Sequence, residues 1–353
     1  MDLPTVWFLL IALLWTGYLV LEGFDFGVGM LLPFVARDAE DRRLAIRTFG
    51  PVWDANEVWL IVAGGAMFAA FPGWYASMFS ALYLPLLLLL VALIVRVLAI
   101  EYRVKHQDDR WTRAWDRALV VCSFTAPAAV ALALANVVRG IPLDGRHDFT
   151  GSLGDLLGAY PLLAAATVLA LFALHGACFL ALRCDGPVRL RARRAAAVAW
   201  PLATALAAGF GLWTLLGSGG PDDAVSPIAV AAFAVVVVAL AICGLAVHRG
   251  HEGRAFAGTA VAVIGVAVLL FAQLWPNVLP STGDPAGTLT IADAASTPYT
   301  LKVMTIIGAV MTPIVLLYQG WTYWVFRHRV LPEGFERAQN PLQALAARRA
   351  AEG

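Results

Sequence analysis

Charge is what this chain has least of. Only 14% of its 353 residues are Asp, Glu, Lys or Arg, where a soluble domain carries about 25%. With 60% hydrophobic residues, that shortage excludes a water-soluble globular fold. The net charge of +1 excludes a general attraction to nucleic acid. Cysteine is scarce too. Cys122, Cys178, Cys184 and Cys243 form no CxxC and no metal-ligand spacing, so they read as small apolar packing residues. Histidine is scarcer where it would matter. A haem held by two histidines inside a bilayer needs both at one depth, and only His175 lies clearly within an apolar run. The chain is therefore expected to bind no haem or metal, and His175 to make an interhelical hydrogen bond. No Walker loop, no GxGxxG after a strand and no hydrolase elbow is present, so no complete active site is visible. The first apolar run has no basic flank and is too long for a signal peptide, which makes it a span.

What is there is apolar length. Crossing a bilayer takes about 20 apolar residues, and nine stretches qualify: 6–33, 52–71, 76–101, 117–138, 160–182, 196–217, 227–248, 256–276 and 301–326. The expected fold is all-α and polytopic, one membrane domain over 1–330 followed by a cytoplasmic tail over 331–353. Basic residues set its orientation. The loops after the first, third, fifth and seventh spans, with the tail, hold 21 of the 25 Lys and Arg; the alternate loops hold Arg139 and Arg146. The amino terminus is thus expected outside and the carboxyl terminus in the cytoplasm.

Against this background the acids stand out. Glu22 and Asp25 lie in the first span, and Asp54 and Glu57 at the start of the second. Each carboxylate at mid-membrane costs roughly 2.5 kcal/mol or more. Both pairs are spaced i,i+3 and share a helix face. The inferred orientation gathers all four, with Arg96, Glu101 and His175, toward the cytoplasmic side. Two carboxylates in a poorly hydrated place compete for ionisation, so the set reads as a proton inlet. The alternative is structural. Asp54 and Glu57 would favour the dipole of their helix, and Glu101 would neutralise Arg96. Gly23, Gly27 and Gly29 read as helix-packing positions, and most tryptophans as an interfacial belt. Trp53 and Trp59 flank the acids more closely. Pro313 is expected to kink the last span.

Several long motifs then fall in collinear order: Glu-Gly-Phe-Asp-Phe-Gly at 22–27, Trp-Asp-Ala-Asn-Glu-Val-Trp at 53–59, Ala-Gly-Gly-Ala-Met-Phe at 63–68, Pro-Asn-Val-Leu-Pro-Ser at 276–281 and Pro-Ile-Val-Leu-Leu-Tyr at 313–318. Over about residues 5–330 the chain resembles the second subunit of cytochrome bd quinol oxidases. Ala292 and Val97 depart from the family's Trp and Pro. The resemblance implies nine helices and a larger partner, subunit I, carrying two b-type haems, one d-type haem and the quinol site. It implies quinol oxidation coupled to reduction of dioxygen to water in a bacterial cytoplasmic membrane, with protons drawn from the cytoplasm. It places the proton path at Asp54, beside which the reading of the residues sets Glu57, Asp25 and Glu22. It places a subunit interface or oxygen route near Trp59 and Arg96, and Trp53 and Glu101 are expected to belong to the same place. It also leaves room for a structural quinone, bound lipid and small accessory subunits. Two other classes fit the acids alone: a proton-coupled secondary transporter and a purely structural assembly subunit. No evident inverted repeat or pair of broken helices favours the transporter.

Overall fold

The computed structural model describes residues 2–106, 108–217 and 225–330. The polar segment Ser218-Gly219-Gly220-Pro221-Asp222-Asp223, which reads as a loop, and the tail expected at 331–353 lie outside them. The fold is all-α apart from one small hairpin. α1 (Leu3–Val35) starts where the Asp2 carboxylate accepts the Thr5 N–H, with Pro4 in the first turn, where a missing N–H is harmless. Eight helices among the described residues are long and apolar enough to cross a membrane. They are α1, α5 (Tyr83–Tyr102), α6 (Asp109–Arg139), α8 (Ala159–Arg183), α9 (Gly186–Gly217), α10 (Pro227–Arg249), α11 (Glu252–Leu274) and α13 (Pro298–Val325).

The stretch expected at 52–71 forms α3 (Trp53–Ala70), which is just 18 residues long and opens on Asp54, Asn56 and Glu57. These polar residues dilute its hydropathy. The span expected at 76–101 is not one helix. α4 (Pro72–Ala81) ends at Leu82, and α5 begins at Tyr83. Pro72 and Pro85 each occupy a first turn, where proline is tolerated and the preceding helix is stopped. α6 and α9 begin about ten residues before the apolar runs that predicted them, because their arginine-rich segments are helical as well.

The basic segment after α1 also folds as a helix, α2 (Ala39–Phe49). Asp38 caps it by accepting the Asp41 N–H, and Leu44, Ala45, Ile46 and Phe49 bury one face. Short ion pairs bind this arginine-rich end of the bundle. Arg103 meets Asp116 at 2.9 Å, Arg191 meets Asp41 at 2.7 Å, and Glu252 holds both Arg189 and Arg329 at 2.7 Å. The opposite end is closed by α7 (Leu153–Leu156), α12 (Ile291–Ala294) and an antiparallel hairpin of β1 (Asn277–Leu279) and β2 (Leu289–Thr290). The Ser281 hydroxyl ties this hairpin to Leu143 O at 3.0 Å.

α1 runs through the centre, touching α3, α6, α8 and α11. Its glycines do what their positions predict. A methyl on Gly27 would collide with Phe172 O and the Gly176 backbone of α8, and one on Gly29 would strike Ser123 of α6. α13 is the exception. Only 6% of its most apolar window is buried, against 67% for α8. It is fastened near its two ends, by Trp7 Nε1 donating to Thr305 Oγ1 at 3.0 Å and by hydrogen bonds from Gln319 and Tyr323. From 309 to 318 every residue is exposed.

Candidate functional site

Three helices converge on one guanidinium. α5 carries Arg96 inward, fully buried, with the guanidinium carbon 4.5 Å from the centre of the Phe26 ring and 5.9 Å from that of Phe49. Its Nη1 donates to Glu57 Oε1 of α3 at 2.7 Å and lies 3.3 Å from Glu22 Oε1 of α1. Glu22 is wholly enclosed, while the Glu57 side chain keeps 16% of its surface exposed. Glu57 is therefore the rim of the cluster and Glu22 its interior.

Asp25, one helical turn from Glu22, takes a different partner. Asn56 Nδ2 donates to Asp25 Oδ2 at 2.8 Å and to Leu21 O at 3.3 Å. Asn56 Oδ1 accepts from Gln319 Nε2 at 3.1 Å and from the Tyr323 hydroxyl at 2.8 Å. With both amide protons and both oxygen lone pairs used, the orientation of this side chain is determined. The result is a polar line from α1 through α3 to α13.

Of the residues expected at the site, Glu22, Asp25, Glu57 and Arg96 are brought together. Asp54 is one turn outward, exposed on the first turn of α3. It caps no backbone N–H and makes no hydrogen bond or ion pair with the described residues. Trp53 and Trp59 are half-buried against the core, and the Trp59 ring fills the space beside Gly17. Glu101 is exposed and does not neutralise Arg96. Five residues of α-helix put the two on different faces, and the acids of α1 and α3 take its place. Arg96 is enclosed by this chain rather than displayed on its surface.

Sequence reasoning passed over Asn56, Gln319, Tyr323 and Tyr18. A signal for Asn56 existed. Asn56, Ala63, Met67 and Ala70 recur at helical spacing and form the buried face of α3, so Asn56, rather than Asp54, faces α1. His175 is satisfied by its neighbours, as expected. Its Nδ1 lies 2.6 Å from Thr259 Oγ1, its Nε2 donates to Val20 O at 3.2 Å, and its ring stacks on Phe256. Among the described residues, no group of three or more His, Cys, Asp or Glu could hold a metal ion.

A multi-helix membrane protein with a buried acid–guanidinium centre near its arginine-rich end is the class that fold and site define. Comparison with known proteins narrows it. The family model of cytochrome bd terminal oxidase subunit II matches residues 3–326. The chain is 36% identical over 333 residues to the cytochrome bd ubiquinol oxidase subunit 2 of Bacillus subtilis, covering 93% of this chain and 97% of that one. It is 33% identical over 369 residues to the cytochrome bd-I ubiquinol oxidase subunit 2 of Escherichia coli K12, covering 96% and 97%. In fold it is similar to a chain of the bd oxidase from Geobacillus thermodenitrificans, with TM-score 0.72, 18% identity and coverage of 92% and 99%. The chain belongs to the cytochrome bd terminal oxidase subunit II family.

Proposed function

We propose that this chain is the haem-free second subunit of a quinol:dioxygen oxidoreductase in a bacterial cytoplasmic membrane, and that it supplies the complex with a cytoplasmic proton inlet. The observation that carries the reading is the graded enclosure of three carboxyls at the arginine-rich end. Asp54 is exposed, Glu57 stands at the rim, and Glu22 is buried on the same guanidinium as Glu57. A proton taken up at Asp54 passes to Glu57 one turn inward and then to Glu22. Arg96 stabilises whichever of the two glutamates has given its proton up. The positive-inside pattern supports placing this end in the cytoplasm.

Nine crossings are the simplest count. An 18-residue α3 is about 27 Å long, close to the roughly 30 Å of a hydrocarbon core. Haem binding and dioxygen reduction fall to subunit I, with the two b-type haems and one d-type haem that the family resemblance implies. In this chain the one deeply placed histidine, His175, has both ring nitrogens engaged, so it does not fit an iron ligand. The nearly unburied α13 and the outward residues of α3 and α5 form the apolar face proposed to meet subunit I.

The test uses the complex purified with its partner and reconstituted in liposomes. Asp54→Asn is expected to lower quinol-driven oxygen consumption by about a hundredfold, the scale of a lost proton-transfer group. The reduced-state haem spectrum should persist, and Asp54→Glu should stay near the parental rate. Parental turnover in Asp54→Asn would overturn the inlet.

A further inference from the structure

Eleven buried side-chain nitrogen and oxygen atoms among the described residues have no hydrogen-bond partner. Five of them belong to four neighbours: Tyr18 Oη, Glu22 Oε2, Asp25 Oδ1, and Arg96 Nε and Nη2. The other six are scattered singly over the bundle. Each buried orphan costs about 1–3 kcal/mol, and more when charged. A fold stable by roughly 5–15 kcal/mol does not carry five of them in one place without a partner of some kind.

The chemistry of the five atoms selects that partner. The two Arg96 nitrogens only donate. The carboxylate oxygens of Glu22 and Asp25 accept. The Tyr18 hydroxyl does either. An anion would suit Arg96 and be repelled by the acids, and a metal cation would suit the acids and be repelled by Arg96. A species able to accept from nitrogen and donate to carboxylate at once fits this set, and water is the smallest that does; because one water makes at most four hydrogen bonds, five atoms call for more than one. Geometry agrees. Tyr18, Glu22 and Asp25 fall at i, i+4 and i+7 on α1, one stripe of that helix. Phe26 covers one face of the guanidinium at 4.5 Å, which leaves its in-plane edge, bearing Nε and Nη2, as the approach.

We propose that Tyr18, Glu22, Asp25 and Arg96 enclose a bound-water site at the inner end of the proton inlet, with Tyr18 as its outer wall. This rests on the reading of Asp54 and Glu57 as the entry. A proton reaching Glu22 passes from Oε2 to a bound water, which takes it on oxygen while releasing one of its own to Asp25 Oδ1. Only O–H bonds form and break. Tyr18 is a positioning residue here: it orients the water and leaves the charge to the carboxyls.

Two measurements on the intact complex test it. A cryo-EM map sharp enough to show solvent should contain water density at hydrogen-bond distance, about 2.7–3.2 Å, from Arg96 and from Glu22 Oε2 or Tyr18 Oη. Bare contact among these side chains, or a partner-subunit group in that space, overturns the site. In liposomes, Tyr18→Phe should lower kcat about threefold, the scale of one misplaced ordered water. The quinol KM and haem spectrum should be unchanged, and the solvent isotope effect larger. Parental kcat and isotope effect in Tyr18→Phe overturn the role of Tyr18. The two readings fail separately. Parental turnover in Asp54→Asn removes the entry but leaves the density, whereas missing density removes the water site but leaves the entry.

Discussion

Two ion networks occupy the same half of the molecule and share one short distance. Glu57 lies 2.7 Å from Arg96, and Glu252 lies 2.7 Å from both Arg189 and Arg329. Each is one centre with two partners of opposite sign. Their surroundings separate them. Arg96 and Glu22 have no exposed side-chain surface, while Arg189 and Arg329 keep 30% and 34% of theirs. Glu252 itself is only 8% exposed, but its arginines stay hydrated, so the outer pairs give up less hydration and are worth about 1 kcal/mol. A buried pair gives up most of it, so its attraction goes largely into recovering that cost. Equal geometry thus has unequal meaning. The outer network serves as a fastening between helix ends. The inner one is a poor way to gain stability, and its retention points to use.

Substitutions can break or sharpen this contrast. Arg96→Gln is expected to have the largest effect, because it leaves Glu22 and Glu57 buried without their cation; about 3–5 kcal/mol of stability should go, read as lost yield and earlier thermal denaturation of the haem-bearing complex. Replacing Glu22, Glu57 and Arg96 together by Met should restore most of that stability and none of the turnover, which separates cost from use. Asn56→Leu comes next. It strips a partner from Asp25, Gln319 and Tyr323 at once, and about 1–3 kcal/mol should be lost, with protease cleavage at the carboxyl-terminal end of α13 as the readout. Arg189→Gln should cost no more than about 1 kcal/mol and leave the rate of oxygen consumption unchanged. The smallest effect belongs to Asp144, half-buried at the opposite end. The backbone N–H groups of Asp148 and then of Arg146 hold its carboxyl below the usual range. Its small contribution should be complete above the ordinary value of about 3.9 and vanish as pH falls through the lower folded value. Asp144→Asn should flatten that acid limb in a thermal-shift series.

Much of this was legible in the sequence, and the failures have common causes. Apolar length revealed eight long apolar helices where nine spans were expected, and the loop arginines drew attention to one end. The glycines of α1 were read correctly because Gly23, Gly27 and Gly29 recur on a helix that must pack closely. Periodicity also grouped the four acids. What could not be read was which carboxyl faces which helix. Asp54 and Glu57 share a face of α3 only loosely, and one turn of depth leaves the first exposed and the second on Arg96. Glu101 looked like the natural counterion because it is near in sequence, but the helix turns it away, and partners 74 and 39 residues distant prevail. Helix ends were misjudged where arginines extend a helix beyond its apolar part, as in α6 and α9. Charge marks the membrane boundary rather than the end of the backbone ladder. α2 was missed for a related reason, since its buried face is short and arginine dominates its composition.

The fully used amide of Asn56 carries one more consequence. Its orientation is locked because Gln319 and Tyr323 of α13 hold its oxygen while its nitrogen faces Asp25. The same end of α13 also meets Phe24 through the Tyr323 ring, and just beyond it Arg329 pairs with Glu252 and the Val330 N–H with Arg183 O. Were those two hydrogen bonds to Asn56 broken, the amide would be free to rotate by half a turn. Its oxygen would then face Asp25, which could meet an acceptor only by carrying a proton. One side-chain amide thus ties the hydrogen-bonding state of an interior acid to where the last helix sits.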